Sequence, residues 1–179
     1  MKDMSLEIAI NKYKEEVLPS LSNKRKKFEA MDLKSAVKLA SFGKIEENGK
    51  MDSHQRHIGY KICEVGAFQL LSLEDKFQDC KCFKDIMIQT DIIKNQILSL
   101  GDLWSYDSAL RIGFNLKLYP LEVYVQSGVK DGVRKFFGGS IPKNIKGRTI
   151  QKQSFGEAFM ELEPYEIENF LCVWGKKSV

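Results

Sequence analysis

Between Phe83 and Leu116 apolar residues recur at helical spacing twice in succession, and the only interruption is the short break "SLGD" at residues 99–102. In the first run Phe83, Ile86, Met87, Ile93 and Ile97 form one stripe, widened by Ile88 and Ile92. In the second, Leu103, Tyr106, Ala109, Leu110, Gly113 and Leu116 share a face. Two such runs joined so tightly predict a helix, turn, helix unit, with Gly101 as the breaker of the first helix and Asp102 as the N-cap of the second. Asp107 and Arg111 then lie one turn apart, in the acid-before-base order that favours an intrahelical ion pair. On an exposed helix that pair contributes only about 0.2–0.5 kcal/mol. Enclosed beside Arg56 or Tyr124, the same two residues become the best site candidate in the chain, with Tyr106 a further candidate.

The remaining pattern is also helical. Ser5 can cap a helix over residues 5–17, on which Leu6, Ile8, Ala9, Ile10, Tyr13 and Val17 keep close to 3.6 spacing. Pro19 interrupts it. A second, very basic helix runs to about Met31, and Asp32 caps a third through "LKSAVKLASF", which Gly43 ends. "GKIEENGKMDSHQ" has no apolar period and reads as a loop, the best candidate for a mobile one. Helix resumes from about His54 through "RHIGYKICEVGAFQLLSL". "LYPLEVYVQSGV" has the β-branched alternation of a strand, but no second run offers it a partner, so a short helical turn into "KDGVRKFF" is expected. "GGSIPKNIKG" reads as a basic loop, "SFGEAFMEL" as a short helix, and "PYEIENFLCVWG" as a last helix with Pro164 in its first turn.

The expected class is therefore all-α: one compact domain over 1–179 with about seven to nine helices, of which those in 1–42 form an N-terminal group. With 179 residues, 43% hydrophobic and 29% charged, the chain is long enough for a core and too apolar for disorder. The N-terminus lacks the apolar run of a secretory signal, and no window reaches the roughly 20 apolar residues of a membrane span. No membrane association is expected. The four cysteines, Cys63, Cys80, Cys82 and Cys172, form no dense framework, which fits a reducing cytoplasm.

Few residue patterns carry chemistry. His54 and His57 are the only histidines, and Cys80 and Cys82 could join them as metal ligands, but the CxC spacing is not that of a zinc knuckle. No metal and no cofactor is expected. Nucleophile elbows, P-loops and dinucleotide fingerprints are absent. Asp107, Glu64, Glu166 and Glu168 interrupt apolar runs and are acid–base candidates on that ground alone. An enzyme reading would line a pocket with Arg56, Tyr106, Asp107, Arg111 and Tyr124, the arginines clamping an anionic substrate.

Charge gives a second lead. The net charge of +4 is small, but it is unevenly laid out. One basic segment is "KRKK", Lys24 to Lys27. The other, from Lys130 to Lys152, holds Lys130, Arg134, Lys135, Lys143, Lys146, Arg148 and Lys152 against the single acid Asp131, while the tail from Gln153 is acidic. Cations interleaved with glycines and aromatics suit phosphate contacts. The expected partner is a phosphate-bearing one such as DNA, bound through Lys130, Arg134, Lys135, Lys143, Lys146 and Arg148 with Arg56 nearby. The alternatives are an enzyme acting on an anionic substrate and an interaction module whose basic loop meets an acidic protein.

"HQRHI" (residues 54–58), the stretch from Gly101 to Phe136 and "LEPYEIENFLC" (residues 162–172) together resemble a family of small uncharacterised bacterial all-α proteins. Its pattern reads HQRRI, then YDTALRIG with a following VYLHAG, and a closing EIEDCLC. The resemblance spans 54–172 and implies no known activity. Gln126 stands where that pattern has a histidine, so a histidine-based role there is excluded. A weaker resemblance is to helix-hairpin-helix DNA glycosylases, whose hairpin glycine and catalytic aspartate look like Gly101 and Asp107. In that superfamily the aspartate lies well downstream, whereas here the two are six residues apart with no lysine between them. What this implies is a hairpin that meets a DNA backbone rather than glycosylase chemistry.

Overall fold

The computed structural model describes residues 6–141 and 148–176. Among them are ten α-helices: α1 (Leu6–Glu16), α2 (Leu18–Glu29), α3 (Leu33–Ala40), α4 (Ser53–Ile58), α5 (Tyr60–Leu71), α6 (Glu74–Gln78), α7 (Phe83–Gln96), α8 (Asp102–Leu116), α9 (Lys130–Phe136) and α10 (Pro164–Lys176). The described residues are all-α apart from one two-stranded sheet, β1 (Glu122–Tyr124) and β2 (Thr149–Gln151). None of the described helices is long and apolar enough to cross a membrane.

The helix boundaries follow local chemistry. Asp32 caps α3 by accepting a hydrogen bond from the Ser35 N–H at 2.9 Å. Pro19 falls in the first turn of α2, where its missing N–H costs nothing. The single helix expected from His54 onward is instead split into α4 and α5 by Gly59, at φ 96°, a conformation other residues avoid. At the α7–α8 connection the assignment shifts by one residue. Gly101 is the N-cap, in extended conformation, and Asp102 is already inside α8, where it takes the Lys94 ammonium at 2.8 Å.

Two compact units emerge, one from residues 23–119 and one from 1–22 with 120–179. In the 23–119 unit α8 is the central element, packed on α7 and α3, with α5 against α3 and α7. Phe28, Phe77, Ile86, Ile93, Trp104, Ile112 and Phe114 are fully or almost fully buried there. The Trp104 indole N–H reaches the Ser41 carbonyl at 3.2 Å and pins the end of α3.

In the other unit α10 packs on α9, β1 and α1. The stretch after Pro120, expected as a helical turn, is β1. Its partner lies in "RTIQK", pairing antiparallel with Val123 opposite Ile150. Both side chains are buried, so the short ladder closes the apolar face of this unit. "SFGEAFMEL" forms two 3-10 turns, Lys152–Phe155 and Glu157–Phe159, broken at Gly156, rather than one helix. Their Phe155 and Phe159 join Phe136, Phe170 and Trp174 in a run of aromatic contacts. Gly132 sets the α9–α10 distance: a Cβ there would fall on the Leu171 carbonyl.

Candidate functional site

α8 is buried over most of its surface, and it carries Asp107 and Arg111 toward the end of α3 and the start of α4. The Arg111 side chain is only 6% exposed. Its Nη1 donates to the Ala40 carbonyl at 2.9 Å, which also accepts from the Gly43 N–H at the end of α3, so the cation meets the negative end of that helix. Its Nη2 donates to Asp52 Oδ2 at 2.6 Å and lies 3.5 Å from Asp107 Oδ2. The shortest ion pair therefore runs to a residue outside the helix rather than to the neighbour one turn away.

Asp52 is the residue before α4, and it also receives the Lys24 ammonium at 2.7 and 2.6 Å. It can sit there because Gly43 has no side chain: a Cβ on Gly43 would come within 2.7 Å of Asp52 Oδ2. Two cations and two carboxylates thus balance. Burial lowers the Lys24 ammonium, Arg111 repels it further, and the Asp52 carboxylate only partly restores it.

Asp107 has more partners. Gln55 Nε2 donates to its Oδ2 at 3.0 Å, and His54 Nδ1 stands 3.5 Å from the same oxygen. Burial pushes the Asp107 carboxyl up, but Arg111 and the hydrogen bonds from His54 and Gln55 outweigh it and hold it below the usual carboxylate range. Gln55 is fully buried, and its Oε1 has no hydrogen-bond partner among the described residues. A carboxylate facing Nδ1 of a half-buried imidazole leaves Nε2 for any further contact. His57 and Arg56 are exposed on the other side of α4 and stay outside this cluster. Tyr106 is buried and packs edge-on against Phe83. Among the described residues no group of three or more His, Cys, Asp or Glu side chains is placed to hold a metal.

The basic residues divide sharply. In the "KRKK" run Lys24 meets Asp52, Arg25 meets Glu29 at 3.3 Å and Lys27 meets Glu46 at 2.8 Å. The Lys24 and Lys27 contacts, with Lys38 on Glu47, fasten the loop between α3 and α4, the stretch expected to be mobile. In the other unit Lys130 and Arg134 lie one turn apart on the exposed side of α9, and Arg134 pairs with Asp131 at 2.9 Å. Lys135 places its ammonium 4.4 Å from the Trp174 ring centroid. Arg148 precedes β2, and its carbonyl accepts from the Val125 N–H at 2.6 Å. Lys143 and Lys146 lie outside the described residues. Tail carboxylates are engaged elsewhere: Glu161 pairs with Lys14, Glu166 accepts from the Glu163 N–H at the start of α10, and Glu168 accepts from Gln126. Tyr124 belongs to β1 of this unit.

Sequence reasoning missed Asp52, Lys24 and Gln55 as partners of the α8 pair. Gln55 sits inside the "HQRHI" segment, whose adjacency to His54 was the available signal. Asp52 and Lys24 gave none, since each is one of many charged residues in a polar stretch. Compared with known proteins, the chain matches no family model, no curated protein and no solved structure.

Proposed function

We propose that this protein binds a phosphate-bearing partner, DNA in the first instance, through α9 and the segment leading into β2. Lys130, Arg134, Lys135 and Arg148 supply the cations from described positions, and Lys143 and Lys146 add two more from the stretch between. The supporting observation is the contrast between the two basic runs. The cations at 24, 25 and 27 are matched by carboxylates of their own unit, whereas the α9 segment contains one acid for seven bases. Exposed glycines at 138 and 139, both at positive φ, give the adjoining backbone a turn with little side-chain bulk, which suits close approach to a phosphate. Arg56, exposed on α4 of the 23–119 unit, is a separate candidate with its own variant as test.

Arg111 has a holding role in this reading. Its described hydrogen bonds go to Ala40, Asp52 and Asp107, all inside the chain.

Fluorescence anisotropy with a labelled duplex and a labelled single strand, run over a salt series, tests the proposal. Binding should weaken with a slope of about −0.9 in log K against log salt for each duplex phosphate engaged. A Lys130→Ala/Arg134→Ala variant should lower that slope by about two. Absence of binding at low salt, or affinity indifferent to salt, overturns it.

A further inference from the structure

The 23–119 unit also holds a concavity of about 500 Å³ that the Arg111 cluster does not use. That is within the range of ordinary small-molecule sites. Leu39, Ala67 and Leu71 contribute apolar lining, and three aromatic side chains stand around it. The Phe42 and Tyr60 rings are 5.1 Å apart and tilted by 33°, while Tyr60 and Phe68 are 53% and 71% exposed. Along α5, Tyr60, Glu64 and Phe68 follow at four-residue intervals and so lie on one line of the helix. Glu64 is exposed and has no ion pair among the described residues.

One cation already occupies the aromatic part. Lys44 Nζ lies 5.2 Å from the Phe42 centroid and 5.4 Å from that of Tyr60, with a hydrogen bond of 3.2 Å to the Glu47 carbonyl. Two ring faces that converge on one ammonium are the chemistry by which proteins recognise alkylated ammonium groups. A lysine ammonium is strongly hydrated and gives up water reluctantly. An ammonium bearing methyl groups gives up less and makes more contact with the two rings from the place the Lys44 ammonium takes. Its hydrocarbon chain would then lie on Leu39, Ala67, Leu71 and the open Phe68 ring.

We propose that this concavity binds a small molecule carrying an alkylated ammonium head, held against the joined Phe42 and Tyr60 rings where Lys44 Nζ now lies, with Glu64 as its counter-charge, and that Lys44 is a tethered competitor for the same seat. The tether makes an unliganded protein self-occupied. Removing Lys44 therefore tightens binding, while removing an aromatic face or the Glu64 charge weakens it.

The experiment is calorimetric titration of the full chain with hexyltrimethylammonium, and with the neutral isostere in which a tert-butyl group replaces the trimethylammonium head. Saturable binding of the ammonium is expected, at least tenfold tighter in Lys44→Ala than in the wild type. Cation–π contributions of about 0.5–2 kcal/mol correspond to a loss of roughly twofold to thirtyfold in Tyr60→Leu. Glu64→Gln, at an exposed position that leaves the fold intact, should weaken the ammonium and leave the isostere unchanged. Equal affinity for the two probes, no gain in Lys44→Ala, or no binding to either protein overturns the assignment.

Discussion

The segments Lys24–Lys27 and Lys130–Arg148 look alike as strings of cations, yet they meet different surroundings. α2 lies beside Asp52, Glu46 and its own Glu29, so three of its four basic residues are ion-paired within the 23–119 unit. α9 offers Asp131, which pairs with Arg134, and it packs on α10 through Gly132 and Val133, with the Lys135 ammonium over the Trp174 ring rather than on a carboxylate. A basic run becomes a candidate for a partner only after the carboxylates folded against it have been subtracted. Composition counts the cations and topology supplies the subtraction.

The largest effect expected from that contrast is at Arg111, which links the α2 side of the cluster to α8. Arg111→Met keeps the side-chain volume and strips the charge from Asp52 and Asp107. Breaking a buried pair costs about 3–5 kcal/mol, and the partial exposure of both carboxylates puts this one near the lower end. An unfolding free energy from urea titration lowered by less than about 1 kcal/mol would mean the cluster is a surface network rather than a structural one.

The second prediction concerns the other unit, where packing replaces charge as the fixing interaction. Gly132→Ala places a methyl group against the Leu171 carbonyl and forces α9 away from α10. Overpacking of this kind costs about 1–3 kcal/mol. It should also disturb phosphate affinity, because α9 carries Lys130 and Arg134. Unchanged thermal unfolding and unchanged binding would show that the two helices have room to separate.

Third, one buried group in each unit should respond to an opposite end of the pH scale. Asp107 is held low, so the unfolded chain binds the proton more readily. Its stabilisation is present above the ordinary aspartate value of about 3.9 and is lost as pH falls through the lower folded value. Tyr13, in the other unit, is raised by burial and by Glu166 and Glu168. Its contribution is complete below about pH 10 and declines as pH rises through the folded value. Urea titrations across both ranges check the signs. Asp107→Asn should flatten the acid limb and Tyr13→Phe the alkaline limb, each leaving the other as it was.

How far these regions were legible depended on whether the deciding contact was local. The α7–α8 pair was readable because its apolar stripes repeat every turn, and the Asp32 cap because its acceptor is three residues from its donor. The sheet was not. Each strand has three residues, and the two are joined by α9 and its loop, so a long closure separates β1 from the partner that stabilises it. The site shows the same limit. Four-residue spacing selects Asp107 as the Arg111 partner, but the shorter bond goes to Asp52 across a loop with no period to announce it. Gly101 looked like a stop signal, yet its φ of −107° needs no glycine, and the helix begins one residue earlier than capping chemistry suggested.

The smallest effect on stability, and the most direct probe of the comparison, is charge reversal on α9. Lys130→Glu with Arg134→Glu alters exposed positions whose one described ion pair is with Asp131, so unfolding should move by no more than about 0.5 kcal/mol. Phosphate affinity should fall at low salt, and most of the difference from wild type should vanish at high salt, because the lost contribution is screened. Lys27→Ala is the matched control: it removes a cation already paired with Glu46 and should leave binding where it was. Equal losses from the two variants would mean that the ion pairs along α2 open readily to an outside phosphate. The contrast would then lie in sequence alone. A loss confined to α9 ties the outward charge of the protein to that helix.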